Sequence, residues 1–447
     1  MISASTAFIK AVKEKNREFH VRDTYTFADG SVVEMVTKDY LAYAIDEDMT
    51  NAGKLILGAT VIKKYTATLD NTGRRYDLYN FSGCRIVSRV GIRTEDGSIE
   101  EILKGVFWIT KVVFVGIAIK IEAADAMMFF DKPYTTGILD PTPYEAEVIK
   151  EICQKCGVRL ASTVFLPSEN SLPEGYRLAS PLRILSNPTF RDVLSYCAQL
   201  RYQYAKIDNM GYLDLRRINL QNIQSRKIES LINSIGPIIW TTVSGYADGG
   251  WFDQHSGIIY ISGDNWDGGE FDDGRLYSTE SAPDGSIDGN SGGYEHIYEI
   301  GNLETDTVDA RIAGVEMVLY PTDENSDGDM AWKYVDKMEG CENYIFKIKK
   351  NPYIRRPIQS TYWGLMEDDF HDYAHLYKDR IIGNLRPLKV SCKSDPRIEV
   401  GDLIIVTDRE HRSFRSMVTR VKFSMGNMQI IECSVGTKSD DQYLKEE

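Results

Sequence analysis

The chain has 447 residues, of which 43% are hydrophobic, 26% charged and 11% aromatic, and its formal net charge is −14 at pH 7. These globular proportions exclude a mainly disordered protein, and the length is too great for one ordinary core, so two to four domains are expected. The acidic balance, with no block of Lys and Arg, argues against a tight nucleic-acid partner.

The first residues predict neither a signal peptide nor a membrane anchor. Lys10, Lys13, Glu14 and Lys15 place charge where a signal peptide needs its apolar core, so export by that route is not expected. The most apolar stretch, residues 106–121, contains two lysines and is too short for a spanning helix, so it is predicted as sheet. Seven scattered cysteines fit synthesis in a reducing cytoplasm.

The N-terminal region has the pattern of an antiparallel β domain. Apolar residues at helical spacing first predict a short amphipathic helix over residues 6–17. The period then changes to two, and the predicted strands are 21–27, 31–36, 59–69, 84–93, 106–114 and 117–122. Asp29-Gly30 and Asp96-Gly97 mark turns between them. A compact antiparallel β domain is therefore predicted over residues 20–130.

The next region predicts a small α/β unit. Thr142 can cap a helix, Pro143 suits its first position, and Gly157 can end it. A second helix is predicted over residues 189–202, followed by strands at 203–207 and 212–218. From about residue 246 to 293 the composition shifts to Gly, Asp and Ser, which predicts an exposed insertion with long loops.

The C-terminal region is again predicted to be β-rich. The predicted strands are 310–320, 344–349, 388–392, 403–407, 416–423 and 428–435, and a helix is predicted over residues 368–383. The last two strands are joined near Gly426-Asn427, a hairpin signal.

Two of the predicted hairpins share a residue frame. Thr110, Lys111, Val112, Phe114, Gly116, Ile121 and Glu122 align, after one inserted residue, with Thr419, Arg420, Val421, Phe423, Gly426, Ile431 and Glu432. Sheets favour these residue types, so two unrelated hairpins are one interpretation. A duplicated β domain is the other, and three copies of such a chain would present six similar faces.

The chain resembles the baseplate hub proteins of phage tails and phage-tail-like contractile injection particles, including tail-like bacteriocins. The stretches that carry the resemblance are Phe19–Arg22, Thr24–Phe27, Gly58–Val61, Ala67–Asn71, Gly105–Ile109, Asn187–Leu194, Gly211–Leu215, Asn351–Ile354 and Ile398–Thr407. The resemblance implies a mainly β fold with an α/β insert, containing two tail-tube-like antiparallel β-barrel domains. The expected divisions are a first tube-like domain at 1–136, a small α/β domain at 137–222, an acidic Gly/Asp-rich insertion at 223–300, and a second tube-like domain with one helix at 301–447.

The function that the resemblance implies is structural. A homotrimeric hub would join the sixfold tail tube to the threefold spike and form part of the central channel. Its implied partners are the tail tube protein, a spike or tail-tip protein, baseplate wedge proteins and the tape measure protein, with no membrane and no specific nucleic acid. The implied location is the baseplate of a virion or tail-like particle, assembled in the bacterial cytoplasm. Residues 223–300 depart from the family pattern.

Four local patterns suggest chemistry, and each has a simpler structural interpretation. Cys153 and Cys156 have the spacing of a redox pair or half a zinc site, but no second half follows. His371 and His375 lie four apart, without the Glu of a metalloprotease helix. The residues of a calcium-loop half are Asp323, Asn325, Asp327, Gly328 and Asp329, with Tyr334 where a bidentate Glu belongs. The string 289–293 is similar to a serine protease loop but has no marked base.

The carboxylates of residues 264–288 leave two further functions open. A glycosidase needs only two carboxylates at the right separation, so a tail-associated peptidoglycan hydrolase is the alternative enzyme. A carbohydrate-binding module in the same aromatic, Asp-rich segment is the alternative binding function. The expectation is nevertheless a protein that is not an enzyme, with no catalytic, cofactor-binding or metal-binding residues.

Overall fold

A computed structural model gives the structure of the chain. It describes residues 2–14, 17–51, 54–55, 58–139, 145–161, 187–200, 203–217, 251–253, 258–260, 269–272, 275–278, 294–297, 302–305, 310–319, 332–337, 344–348, 383–385, 387–407, 413–425, 428–433 and 443–444.

The described residues form three α-helices and twenty-seven strands. The helices are α1 (Thr6–Lys13), α2 (Glu145–Cys156) and α3 (Phe190–Leu200). The first eleven strands are β1 (Phe19–Thr26), β2 (Val32–Val36), β3 (Tyr40–Asp48), β4 (Thr50–Asn51), β5 (Lys54–Leu55), β6 (Thr60–Asp70), β7 (Arg85–Arg93), β8 (Ile99–Val115), β9 (Ala118–Ala124), β10 (Gln203–Ile207) and β11 (Leu213–Arg217).

The remaining strands are β12 (Trp251–Asp253), β13 (Ile258–Tyr260), β14 (Gly269–Asp272), β15 (Arg275–Ser278), β16 (Tyr294–Ile297), β17 (Asn302–Thr305), β18 (Ala310–Leu319), β19 (Trp332–Lys337), β20 (Tyr344–Ile348), β21 (Gly383–Leu385), β22 (Leu388–Lys393), β23 (Leu403–Thr407), β24 (Ser413–Met417), β25 (Arg420–Ser424), β26 (Met428–Cys433) and β27 (Tyr443–Leu444).

Thirteen of these strands belong to one sheet, which combines both ends of the chain. Its order is β17-β22-β26-β25-β3-β6-β9-β8-β7-β1-β2, and β10 joins β6 with β11 beside it. The pairings are antiparallel except for β10 with β6. The mainly antiparallel β character predicted from the sequence is therefore confirmed for the described residues.

The N-terminal strands follow from alternation and from glycine turns. Burial alternates along β1 and β6, as expected for strands with one face on a core. Gly30 and Gly97 have φ values of 85° and 83°, in the left-handed region that glycine adopts at low cost, so each closes a hairpin where the sequence predicted a turn.

Helix α1 is shorter than predicted, because it ends at Lys13 instead of continuing to residue 17. Its buried side chains, Phe8 and Val12, pack with Ile92 and Ile102 in a small core of their own. Ser5 caps the helix by accepting a hydrogen bond from the Phe8 N–H at 3.1 Å.

Two larger cores lie elsewhere in the described chain. One is aromatic and lies within the N-terminal β domain, where Tyr25, Tyr65 and Phe107 are fully buried. The other joins α2, α3 and β10 to the C-terminal strands, with Leu194 and Val390 among its members. The α/β unit therefore shares its core with the end of the chain.

Several sequence predictions need correction. Strand β3 was not predicted, although it lies at the centre of the large sheet. The single strand predicted at 416–423 is two strands, because the chain leaves regular pairing at Val418 and Thr419 between β24 and β25. The predicted helix at 368–383 and the helix cap at Thr142 and Pro143 lie outside the described residues.

Candidate assembly interface

The hairpin β8–β9 and the hairpin β25–β26 have the same internal register. Their equivalent cross-strand pairs are Lys111–Glu122 with Arg420–Glu432, and Val112–Ile121 with Val421–Ile431. The residue frame found in the sequence therefore corresponds to a shared backbone arrangement, as the duplication hypothesis predicted.

A side-chain hydrogen bond repeats in the two hairpins. The hydroxyl of Thr110 donates to the backbone carbonyl of Glu122 at 3.0 Å, and the hydroxyl of Thr419 donates to that of Glu432 at 3.0 Å. The basic residue that follows each threonine forms an ion pair with the same glutamate in both copies. Shared side-chain bonds of this kind are not required by sheet propensity alone, so they favour duplication over coincidence.

The correspondence extends to the turn before each hairpin. The N–H of Ile109 donates to the carbonyl of Cys84 at 3.0 Å, and the N–H of Val418 donates to the carbonyl of Asp402 at 2.8 Å. The residues before these acceptors are both glycines with positive φ, Gly83 at 70° and Gly401 at 84°. The repeated unit is therefore larger than a hairpin.

The neighbouring strands repeat as well. The equivalent pairs between β6 and β9, and between β22 and β26, are Thr66–Glu122 with Lys389–Glu432 and Ala67–Ile121 with Val390–Ile431. The next pairs, between β3 and β6 and between β17 and β22, are Ala44–Thr66 with Glu304–Lys389 and Tyr43–Ala67 with Leu303–Val390. We call β8-β9-β6-β3 the first block and β25-β26-β22-β17 the second block.

The two blocks are joined edge to edge within the chain. Strand β25 of the second block pairs antiparallel with β3 of the first, with Phe423 opposite Ile45 and Ser424 opposite Ala44. Strand β17 ends the strand order on the far side of the second block. In the first block, β7 pairs with β8 only as far as Trp108. Within the described residues no strand pairs with the outer edge of β8 over Thr110–Val115.

The join changes the environment of one repeated side chain. Phe423 is 2% exposed, because Tyr43 and Phe19 of the N-terminal β domain cover it with ring-centroid distances of 6.4 and 5.9 Å. Phe114, at the equivalent position of the first block, is 52% exposed. Val115 and Ile117 beside it are also exposed, so an apolar patch lies at the outer edge of β8.

A cleft of about 350 Å³ accompanies this edge, lined by residues 79–83 and by most of residues 109–114. In the second block, the space between the equivalent turn and β25 is occupied by β3, whose Glu47 accepts a hydrogen bond from the Val400 N–H at 3.2 Å. The cleft beside β8 therefore corresponds to the space that β3 of the first block fills beside β25 of the second.

A buried ion cluster fixes the junction of the blocks and the α/β unit. Lys206 of β10 places its Nζ 2.8 Å from Glu47 Oε1 and 3.1 Å from Glu399 Oε1, and Lys63 Nζ lies 3.5 and 3.6 Å from the same atoms. Lys63 also donates to Asn209 Oδ1 at 2.7 Å. The four charged side chains are at most 3% exposed, so each depends on the others for compensation.

The pKa values in the cluster favour the charged forms. Burial by itself raises the pKa of the Glu399 carboxyl, but Lys206 and Lys63 outweigh it and hold that pKa well below its usual range. The same two ammonium groups lower the pKa of Glu47 against its burial. Lys104 lies outside the four-residue cluster and shows the opposite effect, because burial lowers its pKa to about 8; its Nζ donates to the Pro396 carbonyl.

Of the four chemical motifs predicted from the sequence, only the Cys153 and Cys156 pair lies within the described residues, and it is not part of this interface. Cys153 and Cys156 lie on the buried side of α2, and burial raises the pKa of their thiols to about 12 and about 11, which suits packing and not redox chemistry. His371 and His375, the half calcium loop at 323–329 and the string 289–293 lie outside the described residues, as does most of 264–288. Among the described residues, no three His, Cys, Asp or Glu side chains are arranged to hold a metal ion.

None of the helices in the described part of the chain is both long enough and apolar enough to cross a bilayer. No protein-family model matches the chain. No curated protein matches it either.

Solved structures do match over most of the chain. The tail protein from Neisseria meningitidis MC58 is 13% identical, with a TM-score of 0.44 over 93% of this chain and 96% of that one. Prophage tail protein gp18 from Listeria monocytogenes EGD-e is 9% identical, with a TM-score of 0.45 over 94% and 95%. A chain of the phage P2 virion baseplate in its activated conformation is 9% identical, with a TM-score of 0.26 over 94% and 100%. These three structures are of two tail proteins and a phage baseplate.

Proposed function

We propose that this chain is a structural hub of a phage or phage-like tail, a homotrimeric adaptor that joins the sixfold tail tube to the threefold spike. The observation that carries the proposal is the presence of two four-stranded blocks with matching registers, joined edge to edge in one polypeptide. Three copies of such a chain supply six similar blocks, so a threefold assembly can meet a sixfold ring without a symmetry clash.

The proposal assigns the rest of the molecule to partner contacts. The tail tube protein would stack on the six blocks, and the spike or tail-tip protein and the baseplate wedge proteins would bind the remaining parts, with the tape measure protein as a further candidate. The proposed domains are 1–136, 137–222, 223–300 and 301–447, with a tube-like barrel form for the outer two, and the proposed location is the baseplate. The blocks would surround part of the central channel, and the net charge of −14 suits a lining that repels DNA.

The solution mass of the purified full chain tests the proposal. Light scattering is expected to give three times the mass of one chain, and the trimer should persist on dilution through the micromolar range. A protein that stays monomeric or dimeric up to millimolar concentration contradicts a trimeric hub.

A cell-wall assay separates the hub from the two alternative functions. Purified protein incubated with isolated peptidoglycan should release no soluble fragments and should not sediment with the wall. Fragment release favours the hydrolase, and sedimentation without release favours a carbohydrate-binding module.

A further inference from the structure

We infer that β17 of a second copy of this chain pairs antiparallel with the outer edge of β8, with Thr305 opposite Phe114 and Glu304 opposite Val115. The inference rests on the proposed function, because it names the surfaces through which the trimer closes. It goes beyond that function in fixing which two edges meet and in which register.

The register follows from the join already present inside the chain. There, β3 lies on the outer edge of β25, with Ile45 opposite Phe423 and Ala44 opposite Ser424. Phe114 and Val115 are the first-block equivalents of Phe423 and Ser424, by the shared hairpin frame.

The strand that would face them is found in the same way. Ala44 lies opposite Thr66, which in turn lies opposite Glu122. Glu304 lies opposite Lys389, which in turn lies opposite Glu432. Because these two glutamates are equivalent, Ala44 and Glu304 are equivalent as well. Thr305 is therefore equivalent to Ile45. Replacing each member of the internal join by its equivalent gives the pairs Phe114–Thr305 and Val115–Glu304.

The side chains at this edge suit burial under such a strand. Leu303 is the second-block equivalent of Tyr43, which helps to cover Phe423. An arriving β17 would therefore bring an apolar side chain to Phe114, at the place where an aromatic ring covers Phe423. A strand edge with exposed apolar residues is a template for pairing with another chain, and backbone hydrogen bonds along β8 would supply the rest of the contact.

The geometry favours a second copy over an unrelated partner. The two edges belong to different blocks, so the contact is head to tail, and each copy uses both of its edges once. Such an interface closes into a ring when the rotation between copies allows it. The internal join has already set one block beside the other, so repeating it between copies continues the same arrangement.

Disulfide trapping tests the pairing directly. The variant Val115→Cys, Glu304→Cys should form intermolecular disulfides on mild oxidation of the purified trimer, giving a covalent trimer on a non-reducing gel and no longer species. The matched control, Val115→Cys with Asn302→Cys, moves one thiol by two residues along β17, about 7 Å, which is beyond disulfide reach. The six cysteines of the described residues should contribute little background, because they are buried.

Mixing the single variants Val115→Cys and Glu304→Cys provides a second arm. Only covalent dimers are expected, because each chain then carries one of the two partner thiols. A trimeric mass with no disulfide in either arm overturns the pairing and leaves the proposed hub standing. Equal trapping of the Asn302→Cys control overturns the register. A monomeric mass for the unaltered chain overturns the hub, and the pairing with it.

A variant without engineered thiols gives an independent result. Phe114→Asp should raise the dissociation constant of the trimer at least tenfold, because the exposed side chain is not needed for the fold of one copy but would be buried at the edge. Circular dichroism should be unchanged. An unaltered association constant with a native spectrum contradicts the inference.

Discussion

Lys206 and Glu47 approach to 2.8 Å between Nζ and Oε1, although they lie in different units of the chain, and each is at most 3% exposed. The pair links strand β10 of the α/β unit to strand β3 of the first block. Since Glu47 also accepts from the backbone N–H of Val400, the charges fix three parts of the molecule at one point.

Removing the positive charge of Lys206 should lower the stability of the folded protein. In Lys206→Met, Glu47 and Glu399 lose their nearest ammonium group and remain buried, so the free energy of unfolding should fall by about 3–5 kcal/mol. Urea denaturation of the full chain measures the change. Lys111→Met is the matched control, because the Lys111–Glu122 pair is more than half exposed, and its effect should be far smaller. Equal losses in the two variants would contradict the role assigned to the cluster.

The pH dependence of stability should report a buried carboxyl outside the ion cluster, that of Asp23. Burial raises the pKa of Asp23 to about 6, although Tyr40 and Tyr65 each donate a hydrogen bond to it at 2.7 Å. The folded protein therefore holds this proton more tightly than the unfolded chain, where Asp titrates near 4. The resulting stability is full below about pH 4 and is lost as the pH rises through about 6.

The variant Asp23→Asn isolates this contribution. Its free energy of unfolding, relative to that of the unaltered chain, should increase by about 2 kcal/mol between pH 4 and pH 7. Urea titrations at several pH values measure the difference. A difference that is constant across this range would mean that Asp23 does not titrate in it.

The repeated threonines provide a matched pair of substitutions. Thr419 is 1% exposed, so Thr419→Val should cost about 1 kcal/mol through loss of its hydrogen bond to the Glu432 carbonyl. Thr110→Val should cost less, because water reaches the equivalent bond in the first block. Thermal unfolding of the two variants measures both, and a larger cost at Thr110 would contradict the burial difference between the blocks.

The repeated glycines provide another matched pair. An alanine at either position must adopt positive φ, which costs about 1–2 kcal/mol. At Gly83 no atom lies within 4 Å of the new Cβ, whereas at Gly401 the new Cβ would collide with the Tyr204 hydroxyl. Gly401→Ala should therefore lower the free energy of unfolding by roughly 2–5 kcal/mol, and more than Gly83→Ala does. Equal effects in chemical denaturation would contradict the close approach of Tyr204.

The sequence predicts most strands of the first block but misses β3, the strand that joins the two blocks. Strands β1, β6, β10 and β23 follow from local alternation and turn residues, which act over a few positions. Strand β3 was not predicted, since Asp46, Glu47 and Asp48 give no apolar alternation, yet Glu47 is buried beside charges that come from β6, β10 and residue 399. No local pattern signals such a partner.

The candidate interface was only partly predictable for the same reason. The residue frame around Thr110 and Thr419 is local, so the sequence shows that two hairpins are alike. Which strand flanks each hairpin depends on pairing between distant segments, and β17 carries only four described residues with no hairpin signal of its own. The contrast between an open edge at β8 and a covered edge at β25 therefore emerges only from the folded chain.

Val113 and Lys422 occupy one position of the repeated frame, and both are exposed. In a closed ring of copies, Val113 and Lys422 would therefore alternate around the circumference, while the backbone would be the same at every such position. A partner that binds the backbone would find six identical binding sites, whereas a partner that binds these side chains would find three. Gene duplication followed by divergence at such positions gives a single polypeptide two different periodicities.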